Sequence, residues 1–339
     1  MFRPIATPDL LPEEHRVYFA PHRRPSGFFN PWHDVPVSSP RDLLRWQFSR
    51  SAFAAEKKRR PDLSVISDPL GRLRGLPEAC RVMWLGHASV LVQLDGISVL
   101  IDPVFGRAGG LMRREVAAPL RPADLPRIDA VMLTHGHMDH LDVASLRAIG
   151  RRFGESVRFI TPLGLARALP RDCSVRTELD WWQGVSVGGV HVGLVPAQHW
   201  HRRGLNDTNR ALWGGAVISG SRTIFHSGDT GYFGGFSAIG AALDIDLAIL
   251  PMGAYEPRWF MAAQHMSPEH SVQALIDLNA RHAMAMHWGT FDLTDEPLSH
   301  GVDTLLPKIL EERGLATDRF AVLQHGDALG VTDGALLRT

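Results

Sequence analysis

The 339-residue chain has no excess of either charge: 36 basic side chains balance 36 acidic ones. A general nucleic-acid binder would carry a basic surplus against phosphate, so nucleic acid is not expected as a partner. Cysteine is scarce. Cys80 and Cys173 lie far apart and make no disulfide framework, which fits a reducing compartment. No run approaches the ~18 apolar residues of a membrane-spanning helix. The opening MFRPIATPDLLPEEHR has no apolar core of the kind that precedes secretion. A cytoplasmic protein is expected, free or resting on a membrane surface. Histidine, by contrast, is plentiful at 17 residues, and its placement carries the information.

Composition changes once along the chain. Residues 1–80 are rich in Pro and Arg, as in APHRRPSGFFNPWHDVP, and read as an N-terminal extension packed on a core. Residues 81–339 read as the catalytic domain, built from short apolar runs with turn signals between them. VMWLGHASVLVQLDGISVLIDP predicts three strands with a turn at Asp95-Gly96, and AVMLT a buried strand. Further strands are expected at Arg158–Thr161, Gly184–Pro196, Gly214–Ser219, Thr223–Ser227, Asp246–Pro251 and in AMAMHW. Helices are expected at Ser39–Ala55, in HLDVASLRAIGRRFG up to Gly154, after an N-cap at Ser267, and in GVDTLLPKILEERG. IDAVMLTHG from Ile128 and IDLAILPMG from Ile245 share a pattern, a faint sign of two similar halves.

The chemistry concentrates in Ala130–Asp142, AVMLTHGHMDHLD, where His135, His137, Asp139 and His140 follow a buried strand within six positions. Folding alone gives no reason to crowd imidazoles; a metal ion does. In an extended segment alternate side chains point the same way, so His135 and His137 can share one ion. Asp139 and His140 then fall at the start of a helix, turned toward a second.

This H-x-H-x-D-H motif resembles that of the metallo-β-lactamase superfamily. The resemblance implies a four-layer αβ/βα sandwich of the α/β (α+β) class, here with the N-terminal extension. It also implies later ligands at strand ends: His199 in GLVPAQHW, Asp229 in TIFHSGDTGYF and His287 in AMAMHWGTF. One metal would be held by His135, His137 and His199, a second by Asp139, His140 and His287, with Asp229 bridging. Two Zn2+ ions suit these donors, and Mn2+ or Fe would be accepted. Such a pair shares a hydroxide of depressed pKa that attacks a phosphoryl or carbonyl centre, with Asp139 orienting it.

WLGHASVLVQLDG, LDWW, QHW, GDTGYF, GAYEPRWFM, QHMSPEHSV and MHWGTF narrow the likeness. Together they resemble the N-acyl-phosphatidylethanolamine-hydrolysing phospholipase D family from about Gly27 to Gly326. The resemblance implies a zinc phosphodiesterase that releases an N-acylethanolamine and phosphatidic acid, and a homodimer. It also implies that His265 contacts phosphate or protonates the leaving alkoxide. Tyr255, Trp259, Phe260 and Met261 form an aromatic, flexible cluster suited to an acyl groove, next to Glu256 and to Arg258, which would fix either structure or phosphate. His87 reads equally well as a neighbour of the ligands or as an ordinary buried histidine. A lipid substrate requires membrane access, and residues 39–60 combine Leu43, Leu44, Trp46, Phe48 and Phe53 with Lys57, Lys58, Arg59 and Arg60. On a helical wheel those apolar residues scatter, which favours packing on the core over a membrane stripe. Gly136 and Met138 stand where the family carries Asn and Tyr. The alternative reading is a hydrolase of a small soluble phosphodiester or phosphorylated lactone at the same centre. An iron redox protein is disfavoured by Asp139 and the lack of a flavin domain.

Overall fold

The computed structural model describes residues 2–33, 35, 39–58, 61 and 63–338. The extension supplies β1 (Phe2–Pro4), the short pair β2 (Arg23–Arg24) and β3 (Gly27–Phe28), and helices α1 (Pro40–Phe48) and α2 (Pro69–Arg74). There follow β4 (Cys80–Gly86), β5 (Ser89–Leu94), β6 (Ile97–Ile101), β7 (Ala130–Met132), α3 (Val143–Phe153), β8 (Arg158–Pro162) and β9 (Arg176–Leu179). The rest of the chain forms β10 (Gln183–Val187), β11 (Val190–Val195), β12 (Gly215–Ser219), β13 (Thr223–His226), α4 (Gly235–Ala242) and β14 (Leu247–Pro251). It ends with α5 (Arg258–Met261), α6 (Pro268–Asp277), β15 (His282–Met286), α7 (Leu306–Glu312), β16 (Phe320–Ala321), β17 (Ala328–Val331) and β18 (Leu336–Leu337).

Two eight-stranded sheets result, ordered β18-β17-β4-β5-β6-β7-β8-β9 and β1-β10-β11-β12-β13-β14-β15-β16. Each makes three antiparallel steps and then three parallel ones, from β17 to β9 and from β10 to β16. β7 and β14 hold the same place in this pattern, and they carry the two echoed segments. The match extends to side chains. Asp129 accepts a hydrogen bond from the Ser98 N–H at 2.9 Å, and Asp246 accepts one from the Thr223 N–H at 2.8 Å.

Alternation explains why the strands are apolar throughout. Val82 and Trp84 of β4 face the core shared with the second sheet, while Met83 and Leu85 pack with Leu146 and Ile149 of α3 on the outer side. Phe236 of α4, Val272 and Leu275 of α6 and Ile309 of α7 belong to the core of the second sheet. Helices thus flank both sheets, the α/β sandwich expected.

Local chemistry sets the element ends. The Asp95-Gly96 turn between β5 and β6 has both residues at positive φ, 50° and 80°, as a tight hairpin needs. α1 opens on a capping box between Ser39 and Asp42. It stops at Phe48 instead of running to Ala55, because Ser49 is extended and its hydroxyl donates back to the Arg45 carbonyl. α3 is capped by Asp142, which accepts from the Ser145 N–H at 2.9 Å, and ends at left-handed Gly154. Asp139 and His140 therefore lie in the turn before this helix, not in its first turn. The run expected as one strand at 184–196 is two, folded back at Gly188-Gly189. The last helix starts with a wide π-turn at Gly301–Leu305, with Pro307 near the start of α7.

The extension packs on both sheets' neighbours. β1 adds an edge to the second sheet, and Tyr18, Phe19 and Trp32 pack against its core. Trp46 of α1 donates to Asp295 at 2.9 Å, and Lys57 pairs with Asp292 at 2.6 Å. Arg59 and Arg60 lie outside the described residues.

Candidate metal centre

Parallel strands β6, β7 and β14, with β13 and β15, deliver their C-terminal loops to one edge of the sandwich. His135 follows β7 after Thr134, whose N–H and hydroxyl both donate to Asp102 at the end of β6, at 2.8 and 2.5 Å. A turn closed by the Leu141 N–H on the His137 carbonyl brings Asp139 and His140 back toward His135. His199 arrives after β11, its carbonyl accepting from the Asn30 carboxamide at 2.9 Å. Asp229 follows β13, and His287 ends β15 at a left-handed φ of 61°, its N–H on the His87 carbonyl.

Three overlapping donor groups form among the described residues, the smallest being Asp102, His135 and His140. One ligand atom each from His135, His137, His199 and Asp229 lie within 4.8 Å of one another, and so do those of His87, Asp139, His140 and His287. Asp229 stands between the two larger groups. Its Oδ2 is 3.8 Å from His135 Nε2, while its Oδ1 is 3.1 Å from both His140 Nε2 and His287 Nε2. Second contacts fix the imidazoles: His140 Nδ1 lies 2.7 Å from Asp102, and His199 Nδ1 lies 3.1 Å from the Gln264 carbonyl.

The residues fit divalent cations. Nε2 of His135, His137, His140 and His287 and Oδ1 of Asp229 are buried without a hydrogen-bond partner. Each such orphan costs roughly 1–3 kcal/mol, which a cation among them removes. Burial holds His135 and His199 well below the ordinary imidazole range and His137 down to about 4, so all three are neutral and free to ligate. His140 is pushed upward despite its burial, because the carboxylates of Asp229, Asp139 and Asp102 surround it. Burial opposes ionisation of Asp139 and Asp229, yet neighbouring His140 keeps both below the usual carboxylate range. The cluster calls for positive charge and offers neutral nitrogen around it.

A cavity of about 620 Å3 opens onto this centre. Its polar end includes His137, Asp139, Asp229, His265 and His287; its walls include Leu43 and Trp46 of α1, Met112, Trp200, Phe260, Met261 and Leu293. His265 Nδ1 lies 3.9 Å from Asp229 Oδ2, and burial lowers its pKa to about 4.

The aromatic cluster read as a groove divides. Phe260 reaches the cavity, while Tyr255, Arg258 and Trp259 do not line it. The buried Tyr255 hydroxyl contacts His300 Nδ1 at 2.6 Å. Arg258 donates to the carbonyls of Tyr255 and His265, so of its two expected roles it takes the structural one. Trp259 is turned outward under Arg45, whose guanidinium lies 4.3 Å from the ring. Three supporting residues escaped the sequence reading. Asp102 and Asn30 went unremarked, and His87, left open, places Nε2 3.0 Å from Asp139 Oδ2. The signal for Asp102 is a lone carboxylate in IDPVF, directly after β6, whose Ile101 pairs with Met132 of β7.

Residues 98–288 match the family model described as a beta-lactamase superfamily domain. The chain is 36% identical over 269 residues to N-acyl-phosphatidylethanolamine-hydrolyzing phospholipase D 1 of Caenorhabditis elegans, covering 74% of this chain and 75% of that protein. It is 29% identical over 258 residues to a UPF0173 metal-dependent hydrolase of Caldivirga maquilingensis, covering 73% and 96%. The metallo-beta-lactamase fold protein YhfI of Bacillus subtilis superposes with a TM-score of 0.52 at 16% identity, over 74% of this chain and 98% of that one. The chain therefore belongs to the metallo-β-lactamase superfamily, as a metal-dependent hydrolase related in sequence to N-acyl-phosphatidylethanolamine-hydrolysing phospholipases D.

Proposed function

We propose that the protein hydrolyses the phosphodiester of an N-acylated phosphatidylethanolamine, releasing N-acylethanolamine and phosphatidic acid. One observation carries this reading: the donor cluster sits at the end of an apolar cavity large enough for acyl chains. In this reading His135, His137 and His199 hold one Zn2+, Asp139, His140 and His287 hold another, and Asp229 serves both. Mn2+ or Fe would fit the same donors. Bound there, the two cations supply a solvent-derived nucleophile at neutral pH and offset charge on the phosphoryl oxygens.

The chain's own residues do the rest. Asp139, with Oδ2 held by His87, keeps its carboxylate facing the cavity. His265 is neutral at neutral pH, which suits an N–H donor to a phosphoryl oxygen better than a proton source. Water's oxygen bonds to phosphorus, the bond from phosphorus to the ethanolamide oxygen breaks, and that oxygen leaves with a proton. Residues 81–339 act as the catalytic domain, with α1 of the extension roofing the cavity.

Membrane access comes from the cavity rim. Phe48, Leu205 and Leu111 are 86%, 91% and 84% exposed, and Leu43, Leu44 and Trp259 are also open to solvent. Leu43 and Leu205 line the mouth, and Leu111 adjoins Met112, which does so too. A solvated apolar rim of this kind is costly unless it meets lipid. Among the described residues no helix is long and apolar enough to cross a membrane. The test incubates zinc-loaded protein with an N-acyl-phosphatidylethanolamine in detergent and identifies products by mass spectrometry. Both products should form. An intact lipid beside cleavage of a small soluble phosphodiester or lactone would replace the lipid reading with the narrower one.

A further inference from the structure

Gly136 lies between His135 and His137, and its φ is not left-handed. Backbone freedom is therefore not why a glycine stands there. A Cβ added to it would overlap the His201 ring, with Nδ1 at 2.5 Å, and would meet Leu165 Cδ1 at 2.8 Å. The imidazole of His201 thus occupies the space that the family's Asn would need. His201 is buried, its N–H donates to the Asn209 side chain at 3.0 Å, and its Nδ1 has no hydrogen-bond partner.

Two residues on, Arg203 grips the same segment. Its Nη1 donates to the carbonyls of Gly136 at 2.7 Å and Leu141 at 2.9 Å, with His137 farther off at 3.4 Å. Asp207 accepts from the N–H groups of Arg203 and Gly204, at 3.1 and 2.8 Å, and stiffens the loop that carries them. Trp200, in the same loop, sets its ring edge-on to His137 with centroids 4.9 Å apart. Carbonyls that bracket a ligand segment need a donor placed between them, and the Arg203 side chain carries one terminal nitrogen to that point. This loop also forms one wall of the cavity through Arg202, Arg203, Gly204 and Leu205.

We infer that His201 and Arg203 are positioning residues for the metal: His201 packs against Gly136, and Arg203 ties the carbonyls on either side of His137, Asp139 and His140, so that the loop after His199 sets the geometry of His135–His140. The inference rests on the reading of His135, His137, Asp139 and His140 as ligands.

The test measures zinc stoichiometry and affinity of the full chain against a chromophoric chelator, the melting temperature of the zinc-free protein, and kcat and KM on the lipid. Arg203→Met should weaken zinc binding by ~10–100-fold, the range for groups that orient ligands. It should lower kcat more than KM. Arg203→Lys should stay impaired, since its side chain is one atom shorter and its nitrogen falls short of the position that Nη1 holds between the Gly136 and Leu141 carbonyls; full rescue by lysine would mean that this placement does not matter and would overturn the clamp. Gly136→Ala should weaken zinc binding similarly, and Gly136→Ala with His201→Ala should recover most of it. If Gly136→Ala alone does not fold, the double variant decides: recovered affinity supports the packing, and none overturns it. His135→Ala is the control. If it keeps both zinc equivalents, the ligand reading falls and takes the clamp with it. If it loses zinc while Arg203→Met binds within twofold of the parent chain, only the clamp falls.

Discussion

Asp229 belongs to one donor group and sets its Oδ1 3.1 Å from two nitrogens of another, so its loss should be the most costly single change. Asp229→Asn is expected to lose at least one zinc equivalent and to cut turnover by roughly 10³-fold or more, as when a whole electrostatic element of a site is removed. Metal analysis and kcat on one preparation check it. Asp102→Asn should be milder. It leaves every proposed ligand in place but exchanges the carboxylate on His140 Nδ1 for an amide. Zinc affinity should fall ~10–100-fold with little loss of fold. His265→Ala should keep both metals and lower kcat by ~10²–10³-fold, the usual cost of one lost donor to a developing charge. Of the seven proposed ligands, His135, His137, Asp139 and His140 stand out because they crowd six positions after a buried strand, while His199, Asp229 and His287 follow from the superfamily resemblance. Asp102, Asn30 and His87 do neither, since each acts through a partner distant in sequence, 38 positions away for Asp102 and His140. Tyr255, Arg258 and Trp259 misled because neighbours in sequence point in different directions on a turn and a short helix.

At the level of elements, α1 decides whether the cavity is roofed. Trp46 anchors it to Asp295 and stacks near Phe260, with centroids 5.0 Å apart. Its outer residues Leu44 and Phe48 face solvent. Phe48→Glu combined with Leu44→Glu is expected to weaken binding to anionic vesicles by at least tenfold, because burying one large apolar side chain is worth roughly 1.5–3 kcal/mol. Zinc content and cleavage of detergent-dispersed lipid should change little, and co-sedimentation with vesicles gives the first of these readings. α1 starts where expected, at the capping box of Ser39. Its end is not where expected, because Ser49 folds back by a side-chain bond that no periodicity reveals. The hairpin at Gly188-Gly189 hid for a related reason: both its strands are apolar enough to read as one.

For the whole molecule, the two sheets bring seven proposed ligands from both halves of the chain to one edge, and the zinc-free protein should register the strain of holding them. Burial holds His137 and His265 down to about 4 and His87 to about 3, against an ordinary value of 6.5 that the unfolded chain recovers. The unfolded state therefore binds more protons between those values. Stability from these groups is present above pH 6.5 and is lost as pH falls toward 4. His140 runs the other way, since its raised value contributes below 6.5 and fades as pH rises. It is one group against at least five, since His135 and His199 are also held low by burial, so the melting temperature of zinc-free protein should drop as pH is lowered from 6.5 to 4. Added zinc should raise it at neutral pH, because only the folded state gathers the ligands. The most direct measurement of the central claim is hydrolysis of N-acyl-phosphatidylethanolamine in water enriched in heavy oxygen, read by mass spectrometry. The expected result is one heavy oxygen in phosphatidic acid and none in N-acylethanolamine, as attack at phosphorus requires. Label in the N-acylethanolamine, or lipid left intact by zinc-loaded protein, would contradict it.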